Sequence, residues 1–111
     1  MTAATRRIRA AVCVRADGRC ENPRCAVWVG FDVESGEMDH AASRRVAQSV
    51  ENCWLLCRVC HRKRTDNTPS AAHWLELFAT HARRYGYSSE VARVESRLAF
   101  VTTRALLGAA S

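Results

Sequence analysis

Residues 51–64 read Glu-Asn-Cys-Trp-Leu-Leu-Cys-Arg-Val-Cys-His-Arg-Lys-Arg. Three kinds of structure follow one another in this stretch. Cys53-Trp54-Leu55-Leu56 is a short unbroken apolar run, the pattern of a compact strand. Cys57 and Cys60 then form a Cys-x-x-Cys knuckle, a spacing that turns two thiolates toward one metal ion. From 59 to about 66 the chain turns basic and reads as a short helix.

Toward the N-terminus, Cys20 and Cys25 bracket a second, wider pair, Cys-Glu-Asn-Pro-Arg-Cys, in which Pro23 favours a turn that converges the two sulfurs. Two such pairs about thirty residues apart can deliver four thiolates to one tetrahedral Zn²⁺, so Cys20, Cys25, Cys57 and Cys60 are the expected ligands of a structural zinc. The other two cysteines, Cys13 in a helical pattern and Cys53 at the start of the strand, read as buried packing residues. Disulfides would suit a secreted chain, but MTAATRRIRAAVCVRADG has positive charge without the apolar run of a secretory signal. The run Cys-Arg-Val-Cys-His also fits a haem-attachment pattern, yet that reading leaves Cys20 and Cys25 without a role.

The flanks complete an α+β layout. A helix is expected over 3–16, with Ile8, Ala11, Val12 and Arg15 at helical spacing and Gly18 ending it. The Val, Trp and Phe content of 26–33 suits a strand; Glu34-Ser35-Gly36 reads as a turn, and a second strand runs into Asp39-His40. Residues 41–51 read as an irregular loop. Thr68 is the expected N-cap of a helix over about 69–85, with Pro69 at its first position. Ala71, Trp74, Leu75, Phe78, Ala82 and Tyr85 share its apolar face. Gly86 breaks it, Ser88 or Ser89 caps a last helix over about 89–107, and Val91, Val94, Leu98, Val101 and Ala105 form its stripe. Both stripes read as core. His73 and His81 read as surface or core histidines, and Arg93, Arg97 and Arg104 as a solvent-facing stripe.

With 111 residues, 48% of them hydrophobic, the chain suits one domain (1–111) and is not composed like a disordered polymer. No stretch approaches the roughly 18 apolar residues of a membrane span, so a cytoplasmic protein is expected. Seventeen basic residues stand against eleven acidic ones, for a net charge of +6. All but Lys63 of the basic residues are Arg, whose planar fork suits phosphate, although an Arg-rich composition can also reflect a GC-rich genome.

Asp39-His40, Asn52 and His61 lie between and beside the two cysteine pairs. With Cys-Glu-Asn-Pro-Arg-Cys, Glu-Met-Asp-His and Glu-Asn-Cys-Trp-Leu-Leu-Cys-Arg-Val-Cys-His-Arg-Lys in that order, the stretch from 20 to about 66 resembles the HNH endonuclease family. The resemblance implies a ββα-metal (His-Me finger) core stapled by the zinc and flanked by terminal helices. It implies DNA as partner and phosphodiester hydrolysis as activity, with 5′-phosphate and 3′-hydroxyl products. His40 would be the general base, Asn52 would orient the loop carrying it, and Asp39 and His61 would hold a divalent cation. Neutral imidazole suits proton abstraction near pH 7. So few protein ligands suit Mg²⁺ or Mn²⁺, with Ni²⁺ a further candidate.

Arg62, Lys63 and Arg64 are expected beside that site, either as phosphate contacts or as a solvated helix end. Free-standing members of this size often belong to phages, mobile elements or restriction systems, which implies a protein partner from such a system. The segment after Asp39-His40, Ala-Ala-Ser-Arg-Arg-Val-Ala-Gln-Ser-Val-Glu, lacks the proline and glycine pair that members often carry. The alternative reading keeps the zinc and the basic surface without catalysis, as a DNA-binding or docking module. The sequence leaves the oligomeric state open.

Overall fold

The computed structural model describes residues 3–30, 37–40 and 48–110, with the backbone alone at 37–40 and 109–110. The predicted turn at 34–36, part of the strand predicted at 26–33 and most of the loop at 41–51 fall outside these residues. Among the described residues the order is α1 (Ala3–Arg15), β1 (Glu37–His40), β2 (Cys53–Leu56), α2 (Arg58–Thr65), α3 (Ala71–Arg84) and α4 (Ser88–Ala110).

All four residues of β2 are buried. Successive side chains of a strand point to opposite faces, and here both faces are covered. Cys53 and Leu55 pack with Val12, Cys13 and Ala16 from and just after α1. Trp54 and Leu56 join a second cluster with Trp74, Leu75, Leu77, Phe78 and Ala79 of α3 and Val94 of α4. That double burial is why the sequence of β2 is continuously apolar rather than alternating. Trp54 meets Phe78 edge-on, with ring centroids 5.1 Å apart and planes at 77°, an arrangement the ring quadrupoles favour.

β1 pairs antiparallel with β2 in the register Glu37↔Leu56, Met38↔Leu55, Asp39↔Trp54 and His40↔Cys53. The strand predicted at 26–33 differs: over its described part, 26–30, only an isolated bridge between Arg19 and Trp28 forms. Ala26 (φ 57°) and Gly30 (φ 96°) are left-handed, which bends the chain out of the extended state on either side of Trp28. The Val29 and Gly30 amides instead both donate to the Gly18 carbonyl.

Two helix starts also differ from expectation. The N-cap of α3 is Ser70, whose Oγ accepts from the His73 amide at 3.1 Å, while the Thr68 carbonyl accepts from Trp74 Nε1 at 2.8 Å. The helix therefore begins after Ser70, with Pro69 ahead of it. Ser88 is the first residue of α4 rather than its cap, because the amides of Glu90 and Val91 already return to the Tyr87 carbonyl. The three-residue connection at 85–87, with Gly86 at φ 72°, folds α4 back along α3. At 1.5 Å per residue the 23 residues of α4 extend about 35 Å against about 21 Å for the 14 of α3. Its stripe is accordingly buried at Val94, half-buried at Val91, Leu98 and Val101, and exposed at Ala105. Among the described residues no helix is long and apolar enough to cross a membrane.

Candidate metal centre and its surroundings

The four sulfurs of Cys20, Cys25, Cys57 and Cys60 lie within 4.8 Å of one another, with Cys25 and Cys57 at 3.9 Å. A tetrahedron of Zn–S bonds of about 2.3 Å separates its sulfurs by about 3.8 Å, so the cluster is close to the geometry a tetrathiolate metal requires. Each element supplies its ligand for a local reason. Cys57 caps α2, accepting from the Cys60 amide at 3.4 Å, and the first turn of that helix sets Cys60 beside it. Across the site, the Cys20 amide donates to the Val27 carbonyl at 2.8 Å and the Cys25 amide to the Asn22 carbonyl at 2.9 Å. These bonds curl 20–27 into a closed loop.

Asn22 orients the cluster from outside: its Nδ2 lies 3.4 Å from Cys60 Sγ while its Oδ1 accepts from the Arg24 amide. Such outer contacts fix the direction of the ligands. Burial works against the Cys57 thiolate, but the Cys60 amide and the neighbouring thiols outweigh it and hold the thiol below its ordinary range. Burial pushes Cys60 up to about 11 and raises Cys20 as well. Four crowded thiols, with Cys57 held below its ordinary range, form a donor set suited to a soft-tolerant dication such as Zn²⁺.

A buried ionic clamp joins this loop to the rest of the fold. Glu21 stands beside Cys20, and its carboxylate takes both arms of Arg15, Nε at 2.8 Å and Nη2 at 2.7 Å. The two side chains are 3% and 8% exposed, so the pair is shielded from solvent. Glu21 also mimics a strand neighbour of β2: its amide donates to the Leu55 carbonyl and its Oε1 accepts from the Leu55 amide at 2.9 Å. Arg15 in turn donates to the carbonyls of Val50 and Cys53. Burial disfavours the guanidinium charge, but Glu21 overcomes this and raises Arg15 above its ordinary value. His81 of α3 completes the group, 2% exposed, with Nδ1 3.7 Å from Glu21 and Nε2 without a hydrogen bond among the described residues. Burial first, then the charges of Arg15 and Arg84, push it down to about 3, so it stays neutral.

The residues of the expected hydrolytic site are placed as follows. Asp39 and His40 are the last two residues of β1, and their side chains are outside the described atoms; His40 is paired in register with Cys53. Asn52 directly precedes Cys53. It is 3% exposed, and its Oδ1 accepts from the Ser49 amide at 2.9 Å and from Cys53 Sγ at 3.3 Å, closing the turn that enters β2. His61 lies on α2, which packs against both strands. It lines a cleft of about 420 Å³ with Arg58, Arg62, Thr65 and Asp66. Arg62 and Lys63 are exposed and Arg64 is half-buried.

Glu21 and Asn22 carry no role in the sequence reading, which gives Arg15 only a place at helical spacing and His81 only that of a surface or core histidine; His81 is a core one. One signal for them exists: Arg15 falls on the apolar face of its helix, where a charge needs a buried partner. No family model matches the chain, and neither a curated protein nor a solved structure matches it.

Proposed function

We propose that the chain is a metal-dependent DNA endonuclease of the ββα-metal kind. The observation that carries this is the order β1–β2–α2. The strand that ends in Asp39-His40 pairs with β2 one residue beyond Asn52, and the helix bearing His61 packs on both strands. The four-cysteine cluster holds the helix start to the loop at 20–25, so a structural zinc would fix the geometry without taking part in chemistry.

In this reading the imidazole of His40 takes the proton of the attacking water. Asn52 acts through position alone, because its carbonyl oxygen is committed to the Ser49 amide and the Cys53 thiol. The Asp39 carboxylate and the His61 imidazole would hold a divalent cation, which supplies neutralisation of the charge that builds on the phosphoryl oxygens. Arg58 and Arg62, flanking His61 in its cleft, are suited to grip neighbouring phosphates. The net charge of +6 would raise the local concentration of DNA.

The test is plasmid cleavage by zinc-loaded protein with Mg²⁺, Mn²⁺ or Ni²⁺, beside a reaction without added cation and the His40→Ala variant. Cation-dependent cutting by the parent and none by the variant, at unchanged zinc content, is expected. Cutting that survives His40→Ala would remove the base assignment. DNA binding without cutting under any cation would favour the non-catalytic zinc module.

A further inference from the structure

Two exposed arginines of the α3–α4 hairpin have carboxylate partners: Arg83 pairs with Glu95 at 3.2 Å and Arg93 with Glu90 at 2.9 Å. Arg19 and Arg84 differ. Both line a cleft of about 300 Å³ between the turn after α1, the cysteine loop and the end of α3. The carboxylate-bearing Asp17 lines it too, yet among the described residues neither arginine pairs with it. Arg84, the last residue of α3, makes no hydrogen bond or ion pair among the described residues. Arg19 commits one donor, Nη1 to the Ala26 carbonyl at 3.3 Å, out of the five a guanidinium carries.

The remaining lining adds a buried polar group. Arg15 and Glu21 neutralise each other, so two guanidiniums stand against the single carboxylate of Asp17. The end carbonyls of α1 and α3 accept from amides at 16–19 and 86–87, so they are not competing for these cations. His81 lies three residues before Arg84 and therefore on the same face of α3. It lines the cleft at 2% exposure, and its Nε2 has no hydrogen bond among the described residues. Its Nδ1, 3.7 Å from Glu21, is too far away for a hydrogen bond. Neither ring nitrogen therefore fixes the tautomer, and Nε2–H is open as a donor. The charges of Arg15 and Arg84 both act on this ring, which puts it in a positive field. Planar guanidinium forks donate in pairs, and a tetrahedral phosphate offers acceptor oxygens in several directions at once.

We propose that this cleft binds a phosphate group, held by the guanidiniums of Arg84 and Arg19 with His81 Nε2 as a third donor. A backbone phosphate of DNA and free phosphate present the same chemistry to it. The site stands on the cleft itself, which shares no lining residue with the cleft of His61; its use on DNA rests on the nucleic-acid reading above.

The experiment uses the zinc-loaded full chain in phosphate-free buffer without added Mg²⁺, Mn²⁺ or Ni²⁺. Inorganic phosphate is titrated while the arginine Nε–H resonances are followed by NMR, with chloride at matched ionic strength as the control. A saturable shift of Arg84 and Arg19 with phosphate and none with chloride is expected. Arg84→Gln should weaken phosphate binding by about threefold or more, and Asp17→Asn should tighten it by about twofold. Asparagine tolerates the left-handed backbone at 17 (φ 53°), and a folding defect would not tighten binding. In parallel, a labelled short duplex is bound across a salt series. For a site that takes a backbone phosphate, Arg84→Gln lowers the slope of log affinity against log salt by about 0.9, and Arg84→Lys restores it. An unchanged slope beside the phosphate effects assigns the site to free phosphate. Phosphate binding by a chain that binds no duplex would keep the site and remove the DNA reading. No saturable shift beyond that of chloride, or a loss in Asp17→Asn equal to that in Arg84→Gln, would overturn the proposal.

Discussion

Replacing Arg15 by Met tests whether the clamp behind the cysteine loop holds the fold together. The guanidinium makes two bonds to Glu21 and further bonds to the carbonyls of Val50 and Cys53. Methionine keeps much of the aliphatic stem and removes every donor. Glu21, 3% exposed, would be left with the Leu55 amide as its remaining strong donor. Breaking a buried pair in this way costs about 3–5 kcal/mol, because the surviving charge stays desolvated. Set against the roughly 5–15 kcal/mol total stability of a small domain, that is a large share.

Glu21→Gln should cost a similar amount, since it strands the charge on Arg15 instead. The double variant strands neither charge, so its cost should fall short of the sum of the two by about 1–3 kcal/mol. Urea unfolding at saturating zinc, followed by the emission of buried Trp54 and Trp74, reads all four proteins. Single variants that cost under about 1 kcal/mol, or strictly additive losses, would refute the claim that the pair acts as one buried unit.

Cys57→Ser should bring zinc content from about one per chain to a small fraction and abolish the cooperative thermal transition; a native-like transition without zinc would show that the cluster is not a structural metal site. His81 is neutral in the fold, with its pKa near 3, and binds a proton near pH 6.5 when unfolded. The unfolded chain therefore holds more protons between these values, so the His81 contribution is complete above about pH 6.5 and is lost as pH falls toward 3. Relative to the parent, His81→Leu should flatten the fall in stability between pH 7 and pH 5 by up to about 1.4 kcal/mol per unit. The groups facing His81 are Arg15, Glu21, Arg84 and Tyr85; equal slopes in the two proteins would show that they, and not His81, set the response.

What the sequence makes legible follows from how local each determinant is. β2 is read to the residue because an unbroken Cys-Trp-Leu-Leu run needs two covered faces, and α1 and α3 provide them. The four cysteines that come together as a possible metal site are picked out by their spacing alone, and α2 starts one residue ahead of its expected position because Cys57 caps it. The N-cap of α3 is missed because Thr68, Pro69 and Ser70 all carry start signals, and the preference for Ser70 rests on its extended backbone.

The strand around Trp28 is missed for a different reason. A left-handed Ala26 has no signature in composition; it arises because the loop closes around the cysteine cluster. The roles of Glu21 and His81 are likewise tertiary, created when 21, 55 and 81 meet. Arg15 alone gave a hint, as a charge on an apolar stripe. Of the expected hydrolytic residues, Asn52 is found tied into the turn before β2 and His61 on the face of α2 that lines a cleft.

The central claim is a division of labour, with zinc at the four cysteines and a separate hydrolytic cation at Asp39 and His61. It is tested most directly by plasmid cleavage as a function of added Mn²⁺, comparing the zinc-loaded parent with zinc-loaded His61→Ala. The account predicts saturable Mn²⁺-dependent cutting by the parent and its loss in His61→Ala at unchanged zinc content and stability. Cutting by His61→Ala with the same Mn²⁺ dependence as the parent, or by the parent with no added cation, would contradict it.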